Sequence, residues 1–478
     1  MNEGVTEAVS TSIWSHLLTV GGVLLALFAI ARLMSDKRQP GNTIAWLLGI
    51  VLVPYIAVPL FLLLGGRKIK RLAAEKTRIA PNLPDLVPPS PEIADRPSVH
   101  AMRANGSPGP VGGNALRQLT DGEEAFAEFE KQITAARHSI HIATFILGRE
   151  AVGKRLVRLL AKRAREGIKV RLQIDAFGSF FSHSSALNEL RAAGGEVVKF
   201  LPVLPLATRT SANLRNHRKI AVFDQHIAIV GGHNLSRDYL GPTPYKKRFA
   251  DFGAVITGPA AALLNEVLLA DWAFASGQSI EDLRGERDPA AVKPAGKADI
   301  QIVASGPDVS GDALYEGILA LIQEAESSIW IVTPYYIPDE VLQRSLLVKA
   351  RAGKDVTLIV PARSNHVITD YARRHYLREL HQAGARILFF QPGMLHSKAM
   401  IIDDCAGVLG SANFDLRSLF VNFEIGVVVH SEPEVTAMRA WAGELVRRCV
   451  VYTPGKPQRF PLLSNLAEDL SRLLAPLL

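Results

Sequence analysis

Two long apolar runs open the chain. Residues 13–34 (IWSHLLTVGGVLLALFAIARLM) hold one charge, Arg32, near their end, and residues 43–65 (TIAWLLGIVLVPYIAVPLFLLLG) hold none. A spanning helix takes about 20 mainly apolar residues, so each run predicts a transmembrane helix. The stretch from Ser35 to Asn42, with Lys37, Arg38, Pro40 and Gly41, reads as the turn of a hairpin. Glu3 and Glu7, with no Lys or Arg beside them, argue against a cleaved secretory leader. Arg67, Lys68, Lys70, Arg71, Lys76 and Arg78 follow the second run, against Arg32, Lys37 and Arg38 around the turn. That excess predicts a cytoplasmic body after the hairpin.

Residues 80–114 are rich in Pro and Gly and read as a linker. Beyond them the apolar pattern alternates between helical and strand periods. It predicts a helix over Glu123–Arg137, a strand over Ser139–Ile146, a helix over Lys154–Glu166 closed by Gly167, and a strand over Lys169–Ile174. Alternation of this kind implies an α/β fold with a mixed or mostly parallel sheet. The pattern then recurs: Glu326-Ser327-Ser328-Ile329 mirrors Arg137-His138-Ser139-Ile140, and Ala352-Gly353-Lys354-Asp355-Val356 mirrors Glu166-Gly167-Ile168-Lys169-Val170. A polar, Pro-containing stretch at 280–297 separates the copies. The expected organisation is a membrane anchor over 1–79, a linker over 80–114, and two similar α/β domains over 115–285 and 298–478. Such a duplication can set its halves about a pseudo-twofold axis.

Each half carries the same octad. His217-Arg218-Lys219-Ile220-Ala221-Val222-Phe223-Asp224 and His396-Ser397-Lys398-Ala399-Met400-Ile401-Ile402-Asp403 both read H-x-K-x-x-x-x-D. Gly231-Gly232-x-Asn234 follows the first and Gly410-Ser411-x-Asn413 the second. His and Lys two apart on a strand share a face, and each Asp falls where its strand should end. One such octad is compatible with a satisfied core histidine; two, each with its own Gly-x-x-Asn, point to a site. An imidazole attacks phosphorus when neutral and donates a proton when charged. A lysine beside it places positive charge at the non-bridging oxygens, and an asparagine amide adds a hydrogen bond. Two histidines facing one phosphorus suit in-line displacement through a covalent intermediate.

These residues resemble the phospholipase D superfamily, and within it the bacterial cardiolipin synthases. The likeness is carried by the octads, by the stretch from His396 to Glu424, by Thr333-Pro334-Tyr335-Tyr336-Ile337-Pro338, and by the two N-terminal apolar segments. The resemblance implies two phospholipase D-type α/β/α sandwich domains in pseudo-twofold arrangement, preceded by two transmembrane helices. It implies that His217 forms a phosphohistidine and that His396 protonates the leaving glycerol and then deprotonates the incoming hydroxyl. Lys219, Lys398, Asn234 and Asn413 are expected to hold the phosphoryl oxygens, and Asp251 and Glu424 to orient the histidines. Asp224 and Asp403 complete the motif, where strand-end aspartates fit fixing a lysine or a loop better than acting as bases. Phe249 stands where the family often has Trp. The implied reaction joins two phosphatidylglycerols into cardiolipin with release of glycerol at a bacterial inner membrane. No cofactor, metal or nucleic acid is expected.

Composition changes this picture little. The 478 residues suffice for an anchor and two domains, and a net charge of +8 with pI near 9.4 suits a phosphate-rich partner, lipid or nucleic acid alike. Cys405 and Cys449 give neither a disulfide framework nor a zinc site. The remaining histidines show no ligand spacing. Leu462, Leu466, Leu470, Leu473 and Leu477 share one helical face that suits a membrane surface or the protein body equally. A hydrolase using water as acceptor shares the octads, and so does a superfamily nuclease, against which the apolar N-terminus argues.

Overall fold

The computed structural model describes residues 16, 19–31, 33, 40–64, 87–180, 182, 184–201, 214–288, 290, 292–309, 311–453, 468 and 471. The beginning of the first apolar run, the basic cluster at 67–78 and nearly all of the C-terminal leucine stretch lie outside the described residues. The described chain divides into an N-terminal unit, up to residue 64, and a body from residue 87 onward.

In the N-terminal unit, residues 19–31 are helical. The second expected span is not one helix but two, Pro40–Leu52 and Pro54–Leu64. Pro54 has no N–H to donate and so interrupts the ladder. The bonds from Val53 N to Gly49 O and from Ala57 N to Val53 O, both 2.9 Å, carry the chain across the break. Among the described residues no helix is long and apolar enough to cross a membrane. Ala29, Leu33, Ile50, Val58 and Phe61 form the small core of this unit, with Trp46 edge-on to Phe61. Its outer positions, including Leu24, Phe28, Leu48 and Ile56, are apolar and exposed.

The body is built on one sheet of fifteen strands. Its first half contributes β1 (Val111–Leu119), β2 (Ser139–Thr144), β3 (Lys169–Asp175), β4 (Glu196–Phe200), β5 (Ile220–Phe223), β6 (Ile227–Gly231) and β7 (Gly253–Thr257). The second contributes β8 (Ala298–Ser305), β9 (Ser328–Val332), β11 (Asp355–Pro361), β12 (Arg386–Phe390), β13 (Ala399–Ile402), β14 (Ala406–Gly410), β16 (Glu424–Val429) and β17 (Cys449–Val451). Two short strands, β10 (Tyr336–Ile337) and β15 (Phe414–Asp415), pair apart from it. From the centre outward one half runs β1-β7-β6-β5-β2-β3-β4, and the other β8-β16-β14-β13-β9-β11-β12-β17. Strand for strand the order repeats, with β17 added at one edge. The halves join through antiparallel pairing of β1 with β8, Val111 opposite Ile300.

The alternating pattern describes only part of each half. β2, β3 and β4 are parallel, as are β9, β11 and β12, because a helix connects each pair. The octad strands are instead hairpins. β5 turns into β6 through Asp224 and Gln225, both left-handed at φ 49° and 58°, a turn that suits the natural twist of paired strands. The helix Gly122–Ala135 starts where Asp121 accepts from Glu124 N at 2.7 Å, and Ala151–Arg165 where Glu150 accepts from Val152 N at 2.8 Å.

Helices cover both faces of each half. In the first, Phe126, Phe129, Leu156 and Leu160 pack on Ile140, Val170 and Leu172 on the outer face. Ala313–Glu324, Glu340–Arg351 and Val367–Gln382 do the same in the second. The inner faces share one core. Pro259–Ser276, apolar nearly all round and therefore buried nearly all round, and Glu432–Val446 fill it. Phe252 of one half stacks on Trp441 of the other at 3.9 Å. Residues 87–114, expected as linker, instead carry the helices Pro91–Ala94 and Pro97–Ala104 and the start of β1. Pro at the first helical turn is tolerated, and Val99 and Met102 are buried, so proline content here marks helix starts rather than an unstructured tether.

Candidate active site

Each octad enters its strand from the same edge of its half, and at that edge the halves exchange backbone bonds. His217 N donates to Phe423 O and Phe423 N to Arg215 O, both at 2.9 Å. Ala250 N donates to Met394 O at 2.9 Å and His396 N to Ala250 O at 2.7 Å. The H-x-K segment of each half therefore lies against the acid-bearing segment of the other. Glu424 follows Phe423 and comes under His217, with Nδ1 2.9 and 3.1 Å from its two oxygens. Asp251 follows Ala250 and comes under His396, at 2.7 Å. Both expected carboxylates thus touch the histidines, and each serves the half to which it does not belong.

Burial opposes the charge on Asp251 and Glu424, but the imidazole each one faces, with a lysine behind it, holds both below the usual carboxylate range. An ionised carboxylate can only accept, so each Nδ1 carries the proton and each Nε2 keeps its lone pair. Burial lowers both histidines from their ordinary value, and Lys219 and Lys398 push the same way. The resting site holds two neutral, nucleophilic imidazoles. Burial brings Lys219 down to about 7 and Lys398 down to about 8, against the pull of Glu424 and Asp251. Lys219 Nζ donates to His217 O at 2.6 Å. Lys398 Nζ donates to His396 O and lies 3.1 Å from His396 Nε2.

The two asparagines differ. Asn234 Oδ1 accepts from Ile146 N at 3.0 Å, which fixes the amide. Asn413 bonds Asp415, and among the described residues its buried Oδ1 has no hydrogen-bond partner. The motif aspartates lie at the far end of their strands, about 23 Å of extended chain from the histidines. Asp224 accepts from the backbone N–H groups of Arg137, His138 and Ser139 at 2.7–2.9 Å. Asp403 accepts from those of Glu326, Ser327 and Ser328 at 2.6–2.9 Å. Each carboxylate is committed to a loop, at the very segments whose likeness first revealed the repeat.

Other residues complete the site. Arg218, between His217 and Lys219 in the first octad, is buried; it donates to Glu424 O at 2.9 Å and Ser305 O at 3.0 Å and pairs with Asp271 at 2.5 Å. Asp271, fifty-three residues on in the same half, holds the guanidinium, and the bonds to the Glu424 and Ser305 carbonyls tie it to the other half. Phe145 meets the His217 ring edge-on at 5.0 Å, and Tyr239 the His396 ring at 4.9 Å. Phe249 lies 6.0 Å from His396, so a ring still lines that side where the family often has Trp. Ser411 Oγ donates to Glu424, and Asn422 Nδ2 does so at 3.3 Å. The position matching Ser411 is Gly232, where a Cβ would come within 1.9 Å of Asp251 Oδ1. The glycine there makes room for the shorter acid.

Two imidazoles with outward Nε2 atoms, two lysines and a duplicated sheet define an enzyme of phosphodiester transfer. The family description "Cardiolipin synthase, PLD-like domain" matches residues 129–267 and 318–446, and "Phospholipase_D-nuclease N-terminal" matches residues 24–66. The chain is 31% identical over 500 residues to a cardiolipin synthase of Geobacillus kaustophilus (strain HTA426), covering 100% of this chain and 96% of the relative. It is 34% identical over 456 residues to one of Geobacillus sp. (strain WCH70), covering 93% and 90%. Among solved structures, phosphatidylserine synthase of Haemophilus influenzae Rd KW20 superimposes with a TM-score of 0.61 at 16% identity, over 79% of this chain and 98% of that one, a likeness of fold. The chain belongs to the PLD-like cardiolipin synthase family of the phospholipase D superfamily.

Proposed function

We propose that the protein is a phosphatidyltransferase that makes cardiolipin from two molecules of phosphatidylglycerol. The observation that carries the proposal is the pair of buried imidazoles, each held at Nδ1 by the carboxylate of the opposite half. His217 Nε2 attacks the phosphorus of the first lipid; an N–P bond forms and the bond to glycerol breaks. The bound phosphodiester anion favours the imidazolium form of His396, which gives its proton to the departing glycerol oxygen. The hydroxyl of a second phosphatidylglycerol then attacks the phosphohistidine, and His396, now neutral, takes its proton. The N–P bond breaks, and cardiolipin leaves with both histidines restored. Lys219, Lys398 and the Asn234 amide meet the phosphoryl charge, with Asn413 facing it from the second half. In this reading 115–285 and 298–478 are the two catalytic domains, and the apolar N-terminal unit anchors them to the bacterial inner membrane on the cytoplasmic side.

Labelled phosphatidylglycerol given to the detergent-purified protein tests this. Cardiolipin and free glycerol in equal amounts are expected. Phosphatidic acid alone, at every lipid concentration, would put a hydrolase in its place. Because the lysines supply the positive charge, turnover should survive exhaustive chelation; loss on chelation, restored by one particular divalent ion, would contradict the mechanism.

A further inference from the structure

Eight large apolar side chains are exposed among the described residues of the body, and four of them gather in two loop regions, the turn after β3 and the loop after β11 together with the first turn of the helix Val367–Gln382 that it enters. Phe177 and Phe180 are 59% and 63% exposed in the loop after β3; Val367 and Ile368 are 69% and 43% exposed after β11. β3 and β11 are equivalent strands of the two halves, so the duplication repeats the feature with different residues.

Both loops connect to the site. Asp175, which ends β3, accepts from Asn216 N at 2.9 Å, next to His217. The Arg215 guanidinium lies 4.7 Å from the centre of the Phe177 ring. In the other half the Tyr335 hydroxyl donates to Asn365 Oδ1 at 2.5 Å, and its ring lies 5.4 Å from His366, which immediately precedes Val367. Tyr239, edge-on to His396, acts electrostatically on Tyr335. Lys246 and Lys247, in the loop leading to Phe249, are exposed, as is Arg363. Exposed apolar tips, with Arg215 on the Phe177 ring and Arg363 four residues before Val367, match a surface that is apolar within and anionic without.

We propose that these two loops seat the mouth of the site on an anionic phospholipid bilayer. Phe177 and Phe180 from one half, and Val367 and Ile368 from the other, enter the boundary between headgroups and acyl chains. Lys246, Lys247 and Arg363 meet lipid phosphates. A buried pair of imidazoles can reach a lipid phosphorus only if the headgroup rises into the body, and loops set at acyl depth keep the chains out of water as it does so. The proposal takes its substrate from the phosphatidyltransferase reading, but its test does not depend on that reading.

The test uses the full chain with Cys405→Ser and Cys449→Ser, and an environment-sensitive dye on Phe180→Cys, Ile368→Cys or, as a control elsewhere on the body, Val348→Cys. In phosphatidylglycerol vesicles carrying brominated acyl chains, dyes at 180 and 368 should be quenched and the dye at 348 should not. Separately, Phe177→Ser/Phe180→Ser and Val367→Ser/Ile368→Ser should each lower cardiolipin formation from vesicles by about tenfold or more. Turnover of monomeric short-chain phosphatidylglycerol should stay within about twofold of the unsubstituted protein, which also shows that the variants fold. Absence of quenching at both loops would overturn the proposal, and so would equal losses on vesicles and monomers. Quenching at 180 and 368 by a protein that makes no cardiolipin would uphold the bilayer contact and remove the phosphatidyltransferase reading instead.

Discussion

At the scale of single residues, the site is a balance of burial against charge. Lys219 and Lys398 sit at about 7 and about 8, not near the ordinary lysine value, because the site is nearly closed to water. Raising the pH strips these charges and weakens the hold on phosphate, so kcat/KM, which reports the free enzyme, should fall through that range. The pH profile checks it; activity flat to pH 9.5 would show that the lysines stay charged or are not needed. The octads alone pointed to His217, Lys219, His396 and Lys398, since the spacing contains their chemistry. They could not reveal that Glu424 serves His217 and Asp251 serves His396, because a partner across two halves leaves no mark in either octad. Arg218 was silent too: nothing around it names Asp271 far along its own half, or the Glu424 and Ser305 carbonyls of the other.

At the scale of elements, the motif's aspartate is a brace. Asp403 holds a left-handed backbone at φ 45° and gathers three backbone N–H groups at the start of β9. Asp403→Ala leaves those donors to find water. The loop is partly open, so the expected loss is about 1–2 kcal/mol of stability, with turnover of the folded protein near normal. Thermal unfolding paired with activity at low temperature checks it. Turnover lost without a change in unfolding would return Asp403 to the chemistry. Apolar pattern made the outer helices and the parallel strands legible. It misjudged residues 87–114, where prolines that read as a linker begin two short helices, and the second apolar run, which Pro54 divides.

At the scale of the whole molecule, the duplication matters because it lets one half complete the other. The sequence repeat implied a pseudo-twofold pair, but not a single sheet joined through β1 and β8, since edge pairing depends on backbone rather than on side-chain pattern. Arg218 is one of the ties that hold the halves in register. Arg218→Met should cost about 3–5 kcal/mol, because the buried Asp271 carboxylate then loses the guanidinium that balances its charge, which the neutral Asn216 amide at 3.0 Å cannot replace, and adding Asp271→Leu should recover part of it. Denaturant unfolding of the single and double variants checks this; a single variant as stable as the parent would mean the tie carries no load. The central claim is that His217 carries the phosphatidyl group while His396, from the other half, moves the proton. It is tested most directly by quenching turnover of phosphatidylglycerol labelled at phosphorus and mapping the label on the protein. The account predicts an acid-labile, base-stable label on the peptide containing His217, enriched in His396→Ala with a p-nitrophenyl donor and absent from His217→Ala. A label on His396, or none in any variant while the parent turns over, would contradict it.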